Sequence, residues 1–360
     1  MAAIRWSVGG VALIGLIAGG QRLEAKKTNE PIYQEPFDLA AGGASLTRAS
    51  REGIMYANPA LLPLGDAWVR WVGLQAGVMA DKTLMKEISS GGGASVSPEE
   101  ISSNLLDRSF HLGQSAALSF LNSNVGLSVF DRVEVDYEGQ KYGDGGLPAV
   151  SIQVEGYAGG LVSIASRPLP WLSLGVTGKY LYVAEPEILV PLADQSQLET
   201  LTQDPAALQE TLDYGKGMGA DVGALLFFQG FTTDFSIALK VDDVGGTKLS
   251  GRDPFRQVAS VGLGMAVHGT TEVLHLALDY RDVLSQYPDR DFKKIYAGAR
   301  LLVRQMLGLA VGYYQGIPTF GLRIDLPLLN VGLTAYGREM GDYPGERQRN
   351  LYYGYVGMGF

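Results

Sequence analysis

Tyr352-Tyr353-Gly354-Tyr355-Val356-Gly357-Met358-Gly359-Phe360 alternates with a period of two, and its reading decides the fold. Every second residue back from Phe360 gives Met358, Val356, Gly354 and Tyr352, a largely apolar face. Gly359, Gly357, Tyr355 and Tyr353 make the opposite face, which is small or polar. A strand with lipid on one side and a wet lumen on the other has this pattern. A last-residue Phe has no obvious place in a water-soluble sheet, whereas the closing strand of a barrel must satisfy its edge down to the terminus.

Working upstream, alternation recurs to give strands near 69–79, 112–121, 124–137, 149–166, 171–184, 214–228, 232–243, 256–267, 271–283, 292–303, 306–316, 319–326, 328–340 and 350–360. The expected fold is all-β, a 14-stranded antiparallel transmembrane β-barrel with a short N-terminal hatch. The links test the count independently. Asn122-Ser123, Pro168-Leu169-Pro170, Gly230-Phe231, His268-Gly269-Thr270, Gln305 and Pro327 are short, and each follows an even-numbered strand. The long links 80–111, 138–148, 185–213, 244–255, 284–291 and 341–349 fall on the other parity; Gly316-Ile317-Pro318 is the one short exception. Outer-membrane barrels put short turns in the periplasm and long loops outside. An even count places both termini on the periplasmic side, in the outer membrane of a Gram-negative-type bacterium.

The faces agree. Leu274, Leu276, Leu278 and Tyr280 oppose Val273, His275, Ala277, Asp279 and Arg281; Phe235, Ile237, Leu239 and Val241 oppose Asp234, Ser236, Lys240 and Asp242. Charge against lipid is expensive, so Lys179, Asp234, Lys240, Asp242, Asp279, Arg281, Arg300, Arg323 and Asp325 are expected to face the lumen. If the charged lumen is structural, as in a barrel that does not transport, Asp279–Arg281 and Arg323–Asp325 are expected to serve as counterion pairs across strands. A two-sheet sandwich shares some alternation, but it rarely needs so many long strands.

Composition bounds the function. Gly is 48 of 360 residues, about twice ordinary usage, and fits tight turns and closely approaching strands. Cys is absent, which excludes thiolate metal sites, a Cys nucleophile, a lipid-modified Cys anchor and disulfides. Arg5 precedes an apolar stretch from Val8 to Ala18, followed by small-residue sites at Ala18-Gly19-Gly20 and Leu23-Glu24-Ala25. This reads as a signal peptide over 1–25, since the stretch is about half the roughly 20 residues of a membrane-spanning helix. Its removal takes Arg5, Arg22 and Glu24, moving the net charge from -9 to -10. With no basic stripe of interleaved aromatics, nucleic acid is not an expected partner.

Residues 26–68 are expected to form a periplasmic lead-in and hatch, and 69–360 the barrel. Pro59 rules out a continuous helix there. The Ala- and Leu-rich composition favours a plug packed on the inner wall over a flexible lead-in. Two loop helices are expected. One starts at Ser97-Pro98-Glu99-Glu100 and the other at Asp204-Pro205, each with a capping residue followed by Pro. They form either a lid or a passive cover. Gly91-Gly92-Gly93 lacks the Lys-Ser/Thr ending of a phosphate loop.

Gly42-Gly43-Ala44-Ser45 and Asn58-Pro59-Ala60 resemble the start of the FadL-like superfamily of fatty-acid and hydrocarbon transporters, which includes PorV-like relatives in secretion systems. Gly298-Ala299-Arg300, Gly312-Tyr313-Tyr314-Gln315-Gly316, Glu339-Met340-Gly341 and the final Phe resemble its C-terminal part. The resemblance implies 14 strands, a hatch built around Asn58, Pro59 and Ala60, no cofactor, and outer-membrane passage of hydrophobic small molecules such as long-chain fatty acids. Membrane lipids, lipopolysaccharide and the ligand are then the expected partners. The alternative is an accessory barrel that docks a protein in a secretion or surface-assembly complex, with Gly159-Gly160 or Pro186 as breaks in the wall under the transport reading.

An enzyme is not expected. The three histidines are His111, His268 and His275. A hairpin folded about His268-Gly269-Thr270 sets Ser260 beside Asp279 and His275 beside Gly264, too far apart for a nucleophile and base. No His/Asp/Glu cluster has metal-ligand spacing.

Overall fold

The computed structural model describes residues 30–64, 71–82, 84, 85, 109–140, 149–184, 187–191, 215–341, 343 and 345–359. The expected signal segment, the loop helices at 97–101 and 205–212, Pro186 and Phe360 lie outside these residues. The strands are β1 Trp71–Asp81, β2 Ser109–Leu121, β3 Val125–Gln140, β4 Ala149–Leu169, β5 Leu172–Ala184, β6 Glu187–Pro191, β7 Gly215–Phe228, β8 Thr233–Asp242, β9 Lys248–Leu249 and β10 Val258–His268. They continue as β11 Glu272–Tyr280, β12 Ile295–Val303, β13 Leu307–Tyr314, β14 Ile317–Asp325, β15 Leu329–Glu339 and β16 Gln348–Gly359.

Fourteen of these close into one antiparallel barrel, each overlapping an expected strand. Closure runs from Gly73↔Gly359 to Asp81↔Leu351, so the quoted segment completes the wall. The two extra strands are short additions on the long-loop side. β6 lengthens the sheet at β4, and β9 takes over the ladder of β7 at Gly217↔Leu249, beyond the point where β8 leaves it. The expected short outer link is shorter still: β14 begins at Ile317, and Pro318 already pairs with Tyr313.

The expected break at Gly159-Gly160 is not present. Gly160 pairs with Val129 and Tyr180, and Gly159 with Phe130 and Leu181, so hydrogen bonding runs through both glycines. Gly159 instead makes room, because a Cβ there would lie 2.9 Å from Leu181 Cδ2 and 3.2 Å from Phe130 Cε1. The irregularity in β4 falls between Ser166 and Leu169, at the short-turn rim.

Outward positions carry exposed apolar side chains all round the wall, including Phe235, Ile237, Leu322, Ile324, Leu333, Val356 and Met358. In water each would forgo roughly 1.5–3 kcal/mol of burial, and a continuous band of them is tolerable only against lipid. The wall is thus membrane-spanning.

Residues 30–64 occupy the lumen. Glu35 caps the helix Pro36–Ala40, its Oε2 accepting from Asp38 N at 2.8 Å, and Pro36 enters the first turn where no N–H is needed. Gly42 and Gly43, at φ 67° and 71°, then reverse the chain. Only glycine fits at Gly42, where a Cβ would overlap the Ala297 carbonyl across the wall. A second helix, Ile54–Ala57, ends at Asn58 because Pro59 forces extended backbone on the residue before it, at φ -160° and ψ 117°. Pro59–Leu64 finishes the segment as a tight helical turn leading to β1. Among the described residues, all three apolar clusters are shared between this segment and the wall, so their core lies inside the barrel.

Candidate functional site

Asn58-Pro59-Ala60 sits near the short-turn rim, in a socket made by β5 and β7. Asn58 is fully buried; its Nδ2 donates to Leu46 O at 3.0 Å and its Oδ1 accepts from Ala60 N at 3.0 Å. Ser173 Oγ donates to Ala60 O at 2.6 Å. Gly175 and Gly223 form the floor. A Cβ on Gly175 would lie 2.5 Å from the Pro59 carbonyl carbon, and one on Gly223 would overlap Asn58 Oδ1.

Around the wall from β8 to β14, charge holds the segment. Arg300 donates to Ala44 O and Arg48 O and pairs with Asp38 at 2.8 Å. Asp279 accepts from the Ser45 and Leu46 amides at 2.7 and 3.0 Å. Arg281 donates to Gly43 O at 3.3 Å and lies over the Tyr296 ring. Asp279 and Arg281 therefore serve the N-terminal segment rather than each other, correcting the expected counterion pair. Arg323 and Asp325 do meet, at 2.7 Å, but along one strand rather than across two; Arg323 also reaches Glu52 at 3.4 Å. Lys240 holds Tyr56 O and Asp242, each at 2.7 Å. Lys179 lies between Asp221 at 2.6 Å and Asp243 at 2.9 Å, and Asp234 accepts from His268 Nε2 at 2.8 Å. Five of the expected charges, Lys240, Asp279, Arg281, Arg300 and Arg323, touch residues 30–64 directly.

Within that segment Glu35 is enclosed. Gln75 Nε2 donates to its Oε1 at 3.0 Å and Arg323 stands 4.0 Å away. Burial first, and the neighbouring Asp38 carboxylate second, push the Glu35 carboxyl up to about 7 against the opposing pull of Arg323.

Toward the long-loop rim, a second charged network was not anticipated. Arg338 contacts Glu30 at 3.2 Å, Glu134 at 3.4 Å and Glu155 at 2.9 Å, while Arg132 reaches Glu134 at 2.6 Å. Buried His111 meets Asp136 at 2.8 Å, and Arg349 also pairs with Asp136. The signal was in β3, where Arg132, Glu134 and Asp136 follow one another at every second position. Beside this network, between the segment and the outer half of the wall, lies a cavity of about 60 Å³. Its apolar part is Tyr33, Met55, Tyr56, Phe130, Leu161 and Leu181, and its polar part includes Lys179, Asp221, Asp242, Asp243 and Arg281.

The histidines make no catalytic pair. The β10–β11 hairpin turns two residues out from the expected register, setting Gly262 opposite Asp279 and Ala266 opposite His275. The shift arises because Gly269 N closes the turn on Glu272 O at 2.8 Å, centring it after Thr270. Ser260 stays well separated along the strands from His275, as required for a wall without a nucleophile–base pair.

The sequence matches no protein-family model and no curated protein. Solved structures do match. A TodX deltaS2S3 mutant monoaromatic hydrocarbon channel aligns at 12% identity over 91% of this chain and 98% of its own, with a TM-score of 0.52. The Ralstonia pickettii toluene transporter TbuX aligns at 11% identity over 90% and 97%, with a TM-score of 0.51. At such identities the likeness is one of architecture, and together with the closed wall of 14 strands it gives this chain the same fold as the TodX and TbuX structures.

Proposed function

We propose that the protein passes hydrophobic small molecules across the outer membrane, with residues 30–64 as the movable barrier. The observation that carries this reading is the arrangement of the lumen. A segment of the chain itself obstructs it, and an aromatic-lined cavity lies on that segment's outer side. The two solved channels above are described as a monoaromatic hydrocarbon channel and a toluene transporter, which favours a ligand of that general character. Capture would rest on apolar burial at roughly 25 cal/mol per Å², without bond chemistry.

The cavity of about 60 Å³ is smaller than the roughly 150 Å³ that accommodates benzene in a protein core. Entry therefore requires the segment to shift, and the Asn58-Pro59-Ala60 socket is where it is anchored. Fatty acids and related lipids are the finer alternative within the same reading. The test is uptake of a radiolabelled aromatic hydrocarbon by cells that lack the protein, or that carry it intact or with Asn58→Gly and Pro59→Gly. Intact protein should raise uptake above the deletion, and the double variant should raise it further. Equal uptake in all three strains would refute the reading.

A further inference from the structure

The outer end of the lipid-facing wall carries two lysines that stand apart from the lumen network. On β7 the outward positions Met218, Ala220, Val222, Ala224, Leu226 and Phe228 are all apolar, and Met218 is 75% exposed. From Met218 to Phe228 the strand rises about 34 Å. At a tilt of about 40° that crosses about 26 Å, the height of the apolar band of an outer-membrane barrel. The next outward position beyond Met218 is Lys216, which is exposed. On β3 the band ends at the same level. Val129 is 63% exposed, and the next position on its face is Asp131, which lies in one row with Ala158, Tyr182 and Lys216. Charge thus reappears in both strands where hydrocarbon gives way to headgroups, and the long-loop side makes this the outer leaflet.

Lys248 stands beside this point. It pairs with Met218, and the adjacent Leu249 belongs to the inner apolar core, so Lys248 faces outward. Ser250 N donates to Lys216 O, which sets Lys216 and Lys248 at diagonal positions of neighbouring strands, about 7–8 Å apart. Lys216 Nζ lies over the Tyr182 ring at 5.9 Å, and Tyr182 meets the Tyr180 ring edge-on. Both tyrosines are exposed on the outward face. Among the described residues neither lysine side chain pairs with a carboxylate. Asp131 is three strands from Lys216, about 14 Å at ordinary strand spacing. Asp253, in the loop after β9, is accompanied there by Arg252 and Arg256, so that loop adds no negative charge. Two like charges this close repel, and an anion held between them removes the repulsion.

We propose that Lys216 and Lys248, with Tyr180 and Tyr182, form a binding site for the phosphorylated sugar headgroup of lipopolysaccharide. The lysines supply paired point charges for a phosphate, and their stems can lie along the apolar edge while the ammonium groups reach headgroup level. The tyrosine hydroxyls are donors and acceptors for sugar hydroxyls, and the rings sit at the depth where barrels carry aromatic girdles. Position at the outer leaflet separates this partner from an inner-leaflet phospholipid. The site lies on the outside of the wall and does not depend on passage through the lumen.

The test is native mass spectrometry of the full chain released from detergent and titrated with lipid A, with dephosphorylated lipid A and with phosphatidylglycerol. The expected result is lipid A binding about 25-fold tighter than its dephosphorylated form, from about fivefold per lysine. Lys216→Gln combined with Lys248→Gln should remove that difference, and each change alone should remove about fivefold. Arg304→Gln takes an exposed cation from the short-turn rim instead, and should leave lipid A affinity unchanged. Each variant is checked for a folded barrel by its mobility on unheated gels. Undiminished lipid A affinity in the double variant would overturn the inference, as would an equal loss in Arg304→Gln. Phosphatidylglycerol binding as tightly as lipid A would overturn it in favour of a general attraction for anionic lipids.

Discussion

Asn58 satisfies two buried backbone groups at once, Leu46 O and Ala60 N. Asn58→Ala leaves both unpaired and should weaken docking of residues 30–64 by about 2 kcal/mol. Gly223→Ala acts on the same contact from the wall, driving a methyl into Asn58 Oδ1, and should weaken docking more. The two changes should be less than additive, because Asn58→Ala removes the atom that the new methyl strikes. Limited proteolysis of the segment in folded barrels measures this. Strict additivity would mean that the two residues do not share one contact. Glu35 gives a pH dependence at the same scale. Burial raises its docked carboxyl from the ordinary 4.5 to about 7, with Asp38 and Glu52 also opposing its charge and Arg323 favouring it. A raised carboxyl stabilises the docked state fully below about 4.5, and that contribution disappears as pH rises through about 7. Protease susceptibility of the segment should therefore increase between about pH 5 and about pH 8, and Glu35→Gln should flatten the profile. A decrease over that range would contradict the assignment of a raised carboxyl.

At the scale of single elements, β16 illustrates how one strand meets two solvents. Val356 and Met358 stand exposed on the outer face while Tyr353 and Tyr355 are buried in the lumen. Val356→Arg places a charge against lipid and should cost roughly 2–4 kcal/mol, whereas Val356→Leu should be neutral. The folded fraction in lipid, read from mobility on unheated gels, distinguishes them; equal folding would mean that this face does not meet lipid. The strands were legible because alternation is local: each residue's face is fixed by its neighbours two positions away. The β10–β11 register was less so, since one turn hydrogen bond, Gly269 N to Glu272 O, moves every pairing by two. Likewise Gly159-Gly160 reads as a break from composition, yet Gly159 marks a crowded inner wall beside Phe130 and Leu181.

For the whole molecule, the lumen is held by contacts between residues far apart in the chain. Gly42 N and Thr319 Oγ1 are 277 positions apart, and Thr334 Oγ and Pro36 O are separated by 298. These contacts, with Asp38–Arg300 and the Asn58 socket, mean that the segment cannot be treated as an addition to a finished barrel. Asp279 and Arg300 could be named in advance as charged positions on the polar faces of their strands. Their partners could not, and so the expected Asp279–Arg281 pair gave way to contacts with Ser45, Leu46 and Gly43. The sequence by itself determined the strand number and the two faces, because backbone pleating converts position along the chain into side-chain direction. Only the tertiary structure decided which charges hold the segment, where its glycine socket lies and what lines the outer cavity. Those features depend on which strands meet across the lumen, and barrel closure, not local pattern, sets that geometry.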